Sequence, residues 1–298
     1  MKRLLACFAS DFAGMPPETL KAAIGASAGR TVISECIVTM EPIVPELTNA
    51  EVAAAFGADM ILLNLYDTQN PLIRGLPIEG VDDPIRALKR LVGRPVGINL
   101  EPVGQGVALE SIHKLPPGRL ATAETFAAAQ AQGVDYICLT GNPGSGVTNA
   151  AVLDAIKICK QQFSGLIIAG KMHGAGVGEE TFDTAAFAAF AEAGADIILM
   201  PAPGTVPGVT ESDCRDAVRL VRKTGALTLS AIGTSQESAD ANTVREIALS
   251  SKRAGFDIQH IGDGAQSGVA EPENLMAMSV AIRGKRHTVF RMAQSVLR

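Results

Sequence analysis

Tryptophan is absent from this chain, tyrosine occurs twice, and aromatic residues together make up only 4% of it. So few flat rings leave no ready platform for stacking nucleic acid bases. Positive charge is also scarce. Lysine and arginine total 26 against 31 acidic residues, a formal net charge of −5, so the electrostatic footprint of a nucleic-acid binder is missing. No apolar run reaches the length needed to cross a bilayer. Neither nucleic acid nor membrane is therefore expected as a partner. The opening Met1-Lys2-Arg3 and Leu4-Leu5-Ala6-Cys7 resembles a lipoprotein signal. Its apolar stretch falls short of the roughly 7–15 residues that a signal core needs, and Asp11 follows at once. Cysteine is sparse too. Cys7, Cys36, Cys138, Cys159 and Cys214 form an odd set with no Cys-x-x-Cys pair. This argues against a disulfide framework and for a reducing, cytoplasmic location, with Cys36 and Cys138 as buried thiols.

Aliphatic residues and glycine are plentiful. The hydrophobic share is 47% and there are 30 glycines in 298 residues, a length that suits one α/β barrel with an added element. Four short echoes organise the chain: Phe56-Gly57-Ala58-Asp59, Gln132-Gly133-Val134-Asp135, Ala193-Gly194-Ala195-Asp196 and Ala254-Gly255-Phe256-Asp257. Each closes an Ala-rich helical stretch and opens an apolar run. Glycine suits the left-handed residue that ends a helix, and the apolar run reads as a buried strand.

The strands predicted on this frame are 31–39, 60–65, 95–100, 136–140, 166–169, 197–200, 227–231 and 258–261. Helices are predicted between them, including 84–91 and 149–163. Eight strands alternating with helices and no linker predict a (β/α)8 TIM barrel over residues 30–298. A doubly wound open sheet is the alternative fold. Residues 1–29 are expected to add an N-terminal helix begun by Pro16-Pro17, which closes the barrel's N-terminal end or meets another subunit. The apolar helix residues 185–191 fit a homo-oligomer. Long Gly- and Pro-rich loops are expected after strands 2, 3, 5 and 6, all on the C-terminal side, where barrels carry their sites.

Candidate residues follow from the strand ends. The strand 7 and 8 loops hold Gly233, Thr234, Gly262, Gly264 and Ser267, which suit a phosphate because glycines expose backbone N–H groups and a helix N-terminus favours an anion. Asp263 sits awkwardly beside a phosphate and is expected to hold a substrate hydroxyl or a lysine. The Gly-rich run after strand 4 offers Thr140 and Asn142 for substrate. It lacks the Gly-Lys-[Ser/Thr] ending of an ATP-binding loop. Alternation puts Lys171 and His173 on one side of strand 5, as fixed cation or imine-forming lysine and as general acid or base. Asn99 and Glu101 share a face of strand 3, costly inside a barrel unless they serve a site. Glu101 is the expected general base. Asn64 shares a face with Tyr66 on strand 2, and Glu35 reads either as a floor residue or as a substrate contact. Glu35, Glu101, His173 and Asp263 would together admit a divalent metal, although no metal-binding spacing is present and no cofactor is required. His113 and His287 read as peripheral, and the direction of His260 stays open.

Five motifs carry a family resemblance: Asn64–Pro71, Gly97–Pro102, Leu139–Val147, Gly170–Gly176 and Ile261–Gly268. Through them residues 30–290 resemble a bacterial family of α/β barrels without an established reaction, whose members are labelled phosphoenolpyruvate phosphonomutase-like or haloacid-dehalogenase-like. The second label requires an Asp-x-Asp nucleophile, and Ser10-Asp11-Phe12-Ala13 does not supply it. Of the Lys-Lys-Cys-Gly-His loop found in some members of the phosphonomutase and isocitrate lyase group, this chain has only Lys171-Met172-His173-Gly174. No residue role is carried over. The residues themselves point to an enzyme acting on a small phosphorylated sugar or oxo acid by carbonyl or enolate chemistry, as an aldolase/lyase or an isomerase/epimerase. A metal-dependent hydrolase and a non-catalytic ligand-binding barrel are the alternatives.

Overall fold

The computed structural model describes residues 2–77, 83–104 and 115–298. Its strands are β1 (Thr31–Ile37), β2 (Met60–Asn64), β3 (Val96–Leu100), β4 (Tyr136–Leu139), β5 (Leu166–Gly170), β6 (Ile197–Pro201), β7 (Leu227–Ile232) and β8 (Ile258–Ile261). All neighbours pair in parallel, and β8 returns to β1 to close the barrel. The doubly wound alternative is thereby excluded. The helices are α1 (Ala9–Phe12), α2 (Pro17–Gly25), α3 (Asn49–Ala55), α4 (Pro84–Val92), α5 (Ala123–Gln132), α6 (Asn149–Gln162), α7 (Thr184–Ala193), α8 (Glu211–Arg222), α9 (Ala241–Ala254) and α10 (Pro272–Met292). Among the described residues no helix is long and apolar enough to cross a membrane.

The Gly-x-Asp echo has a double role. Gly57, Gly133, Gly194 and Gly255 all have positive φ at a helix end, where a side chain would be strained. The aspartates then act on the preceding strand. Asp59 Oδ2 accepts from the Val32 amide of β1 at 2.8 Å, and Asp135 Oδ2 from Val96 of β3 at 2.8 Å. Asp196 Oδ2 accepts from Ile167 of β5 at 3.1 Å, and Asp257 Oδ2 from Thr228 of β7 at 3.0 Å. In each case the aspartate's own amide donates to the carbonyl of that same residue. A clamp thus joins each odd strand to the next even strand at the N-terminal end of the barrel. Every clamp aspartate also meets a cation: Arg283 and Arg291, Lys89, Lys21 and Arg222 respectively.

Inside the barrel, Ile33, Met60, Leu62, Tyr136, Ile168 and Leu199 belong to one buried cluster. Leu4, Leu20, Ala23 and Ile24 from the N-terminal segment join it, so that segment packs under the barrel floor. Tyr136 crosses the interior, and its hydroxyl donates to the Ile61 carbonyl. Gly97 makes room for the ring, since a Cβ there would lie 2.2 Å from Tyr136 Cε2. Gly97→Ala is expected to cost about 1–3 kcal/mol through overpacking. Urea unfolding measures it, and an unchanged midpoint would show that the ring moves freely. All five cysteines are buried thiols.

Candidate active site

A cavity of about 180 Å³ opens at the C-terminal ends of the strands. Glu35 enters it from β1, Asn64 from the end of β2 and Asn99 from β3. Thr140, Gly141, Asn142 and Pro143 follow β4, Met172 and His173 follow β5, and Gly233, Thr234 and Ser235 follow β7. Glu237, from a single 3-10 turn at Gln236–Ser238, and Gly262, Asp263 and Gly264 after β8 complete the wall. Strand alternation explains the first three. Ile33, Leu62 and Gly97 face the barrel interior, so two residues on Glu35, Asn64 and Asn99 face it too.

The side chains form two connected groups. Asn99 Nδ2 donates to Glu35 Oε1 at 2.5 Å, while His260 Nε2 lies 3.0 Å from Glu35 Oε2 beneath the cavity. Asn64 Nδ2 donates to Asp263 Oδ2 and to Asn142 Oδ1, each at 2.8 Å, and Asn142 Nδ2 donates back to Asn64 Oδ1 at 3.1 Å. Asn99 Oδ1, Thr140 Oγ1 and Glu237 Oε2 are buried and make no hydrogen bond among the described residues. Buried polar atoms are seldom left so, and all three belong to residues of the cavity wall.

Three carboxyl groups line the cavity, and no lysine or arginine does among the described residues. Burial, reinforced by Glu35 and Glu237, holds the Asp263 carboxyl well above the ordinary carboxylate range. Burial likewise raises Glu237, against the pull of the Gly264 amide. Burial lowers His173, outweighing Glu35 and Glu101, so its ring is neutral near pH 7. The His173 Nδ1 accepts from the Ala175 amide at 3.1 Å, which leaves the ring proton on Nε2.

Backbone strain marks the same end of the barrel. Leu65, Ala175, Thr234 and Ser235 have left-handed φ of 60°, 53°, 57° and 71°. Non-glycine residues there cost about 1–3 kcal/mol each and gather at functional sites. Leu65 and Ala175 adjoin Asn64 and His173, and the other two line the cavity itself.

Several expected residues stand elsewhere. Glu101 does not line the cavity: it pairs with Arg119 and accepts from the Asn142 amide at 3.1 Å, which makes it a support for that loop. Lys171 also stays off the wall, its Nζ 2.5 Å from Glu179 Oε2. β5 points Leu166 and Ile168 inward, so residue 171 falls on the outward phase, and only the loop brings His173 back. Tyr66 parts from Asn64 because Leu65 breaks the alternation, and its hydroxyl donates to Gln132 Oε1 at 3.0 Å. Ser267 lies outside the cavity, its carbonyl accepting from Asn49 at 2.7 Å.

Gly233, Thr234, Gly262 and Gly264 do line the cavity, but their donors are largely engaged. The Gly262 amide donates to the Ile232 carbonyl, the Gly264 amide to Glu237 and the Thr234 hydroxyl to the Thr205 carbonyl. A phosphate would also face Glu237 and Asp263. Glu35, Glu101, His173 and Asp263 do not converge as a set, and no group of three or more His, Cys, Asp or Glu among the described residues could hold a metal ion. His113 lies outside the described residues, and His287 sits on α10. His260 and Glu237 were not foreseen. The inward phase of Ile258 would have pointed His260 inward, whereas an irregular turn gives Glu237 no pattern.

An eight-stranded parallel barrel with a polar, titratable cavity at its C-terminal mouth defines a TIM-barrel protein. Residues 5–298 match the family described as a domain of unknown function, DUF7916. The chain belongs to that family. No curated protein matches it in sequence. Among solved structures it is similar to an archaeal fructose 1,6-bisphosphate aldolase, with 15% identity over 87% of this chain and 96% of that one and a TM-score of 0.53. It is also similar to a protein provisionally described as a lyase/mutase from Burkholderia cenocepacia J2315, with 18% identity over 87% and 83% of the two chains and a TM-score of 0.51. At these identities the likeness establishes the fold.

Proposed function

We propose that this protein is a lyase- or isomerase-type enzyme that moves a proton beside the carbonyl of a small hydroxylated oxo acid or sugar. The observation that carries this reading is the pairing, in one cavity, of a carboxyl group raised by burial with a histidine kept neutral by burial. Asp263, ionised, takes the proton from the carbon next to the carbonyl. His173 donates its Nε2–H to the carbonyl oxygen as the negative charge arrives there. The resulting enolate either takes the proton back at a neighbouring atom or expels a β-hydroxyl, which leaves as water with the proton that Asp263 holds. Asn64, itself bonded to Asn142, holds Asp263 in place, and rotation of the Asn99, Thr140 and Glu237 side chains brings their unused acceptors to substrate hydroxyls. Phosphorylation of the substrate is left out of this reading because the amides that would bind it are engaged. An imine on Lys171 is left out as well, because its amine faces Glu179.

Proton NMR in D2O, run over a panel of small oxo acids and ketoses, tests the proposal. Loss of the α-proton signal in at least one compound is the expected result. The active base form exists only above the raised pKa of Asp263, so exchange should fall as pH drops through a value well above the usual carboxylate range. Turnover that holds its rate down to about pH 4, the ordinary carboxylate value, would remove Asp263 from the role of base.

A further inference from the structure

We propose that the opposite, N-terminal end of the barrel carries a second binding site, for an organic anion that joins a carboxylate or phosphate to an apolar body. Beneath the ends of α4 and α5 lies a cavity of about 590 Å³, within the range of small-molecule sites. Among the described residues its lining includes Arg86, Lys89, Arg90, Arg94 and Arg298 and no acidic side chain, and the main-chain carboxyl end of Arg298 is the one negative group an anion there would have to tolerate.

Part of this charge serves the helix ends. Arg86 Nη2 donates to the Ala131 carbonyl and pairs with Asp83, and Lys89 Nζ donates to the Gly133 carbonyl and pairs with Asp135. Arg90, and part of the Arg94 guanidinium, are not so engaged. Arg90 is exposed and makes no side-chain bond among the described residues. Arg94 is only 4% exposed, and its three nitrogens donate to the carbonyls of Ala58, Gly93 and Arg291. A guanidinium has five N–H groups, so two of them are left over.

Arg94 also belongs to a buried cluster whose charge does not balance. Arg94, Arg283 and Arg291 surround one carboxylate, Asp59. Burial first, and then Arg291, lower Arg94 to about 10, against the pull of Asp59. Buried charge is costly unless paired, and an anion in the cavity would pair it. Ala9, Phe12, Ala13 and Val296 form the apolar part of the wall, with the exposed Leu297 at its rim, which favours an anion with a hydrophobic or aromatic body over a bare ion.

Calorimetric titration of the full chain with octanoate, adenosine 5′-monophosphate and inorganic phosphate tests this site. At least one of the two body-bearing anions is expected to bind about tenfold more tightly than phosphate. Octanoate alone would assign a carboxylate on an aliphatic body, and the nucleotide alone a phosphate on an aromatic one. Arg90→Glu, on an exposed position in the last turn of α4, should weaken that binding at least about tenfold while the melting temperature falls by no more than about 4 °C, the cost of a reversed charge at a helix C-terminus. Asp263→Asn, at the other end of the barrel, should leave it unchanged, which separates this site from the proposed catalytic one. The proposal is overturned if neither body-bearing anion binds, if phosphate binds as tightly, if Arg90→Glu binds like wild type, or if Asp263→Asn abolishes binding.

Discussion

Asp263→Asn is expected to abolish proton exchange and at the same time make the protein more stable near neutral pH. The first effect follows from losing the base, which is worth about 10²–10⁴-fold in rate. The second follows from linkage. The folded Asp263 has a raised pKa, caused first by burial and then by Glu35 and Glu237. Folding therefore favours its protonated form. Ionisation opposes folding once pH exceeds the unfolded value, and the penalty grows until pH passes the folded pKa. Asparagine carries no such penalty and still accepts the hydrogen bond from Asn64 Nδ2. The melting temperature at pH 7 should rise by about 2–4 °C, as when one unfavourable functional group is removed. The gain should vanish at low pH, where Asp263 is protonated in both states. Thermal melts of both proteins at about pH 3 and about pH 7 make the comparison (below the unfolded pKa and well above it). A variant that loses exchange and is also destabilised at pH 7 would place Asp263 among the structural residues.

The largest loss of stability is expected from Asp59→Ala. Asp59 is fully buried, with Arg283 Nη1 at 2.5 Å, Arg291 Nε at 2.6 Å and the Val32 amide at 2.8 Å. Burial alone would raise its carboxyl. Arg283, Arg291 and the Val32 amide outweigh burial and hold it below the ordinary value. Removing one partner of a buried ion pair costs about 3–5 kcal/mol because the remaining charge is stranded. Here two guanidiniums and a strand amide are stranded together. A fall in melting temperature of roughly 10 °C is expected. The wild-type contribution is present above the unfolded pKa and lost as pH falls through the lower folded value, so the two proteins should converge in acid. A drop of under about 2 °C at pH 7 would mean that water replaces the carboxylate, and that the cluster is open.

The barrel was legible because its signals are local. Glycine at a helix stop and an apolar run after it have the same meaning wherever they occur, and all eight strands lie within two residues of their expected ends. The cavity was legible only as far as period-two alternation runs. Glu35, Asn64 and Asn99 lie on regular strands, and they line it. Past the strand ends the pattern fails for a physical reason. Left-handed Leu65 turns Tyr66 away, and Gly170, with φ at 152°, ends β5 before Lys171. Glu101 carries the inward phase, yet it pairs with Arg119, a partner 18 positions away that no spacing rule supplies. The phosphate expectation took glycines as free donors, whereas hydrogen bonds to Ile232 and Glu237 had already engaged them.

The four aspartate clamps make the barrel a ring of cassettes. Each joins an odd strand, its helix and the next even strand through a reciprocal pair of bonds. A chain cut after an even strand would leave every cassette whole, while a cut after an odd strand would split one. The cassettes are unequal in one respect. Three clamps take their cation from α2, α4 or α8, but the Asp59 clamp takes two from α10, the last helix of the chain. The first cassette is therefore finished only when the last helix arrives, and one carboxylate both opens the barrel's construction and fastens its end.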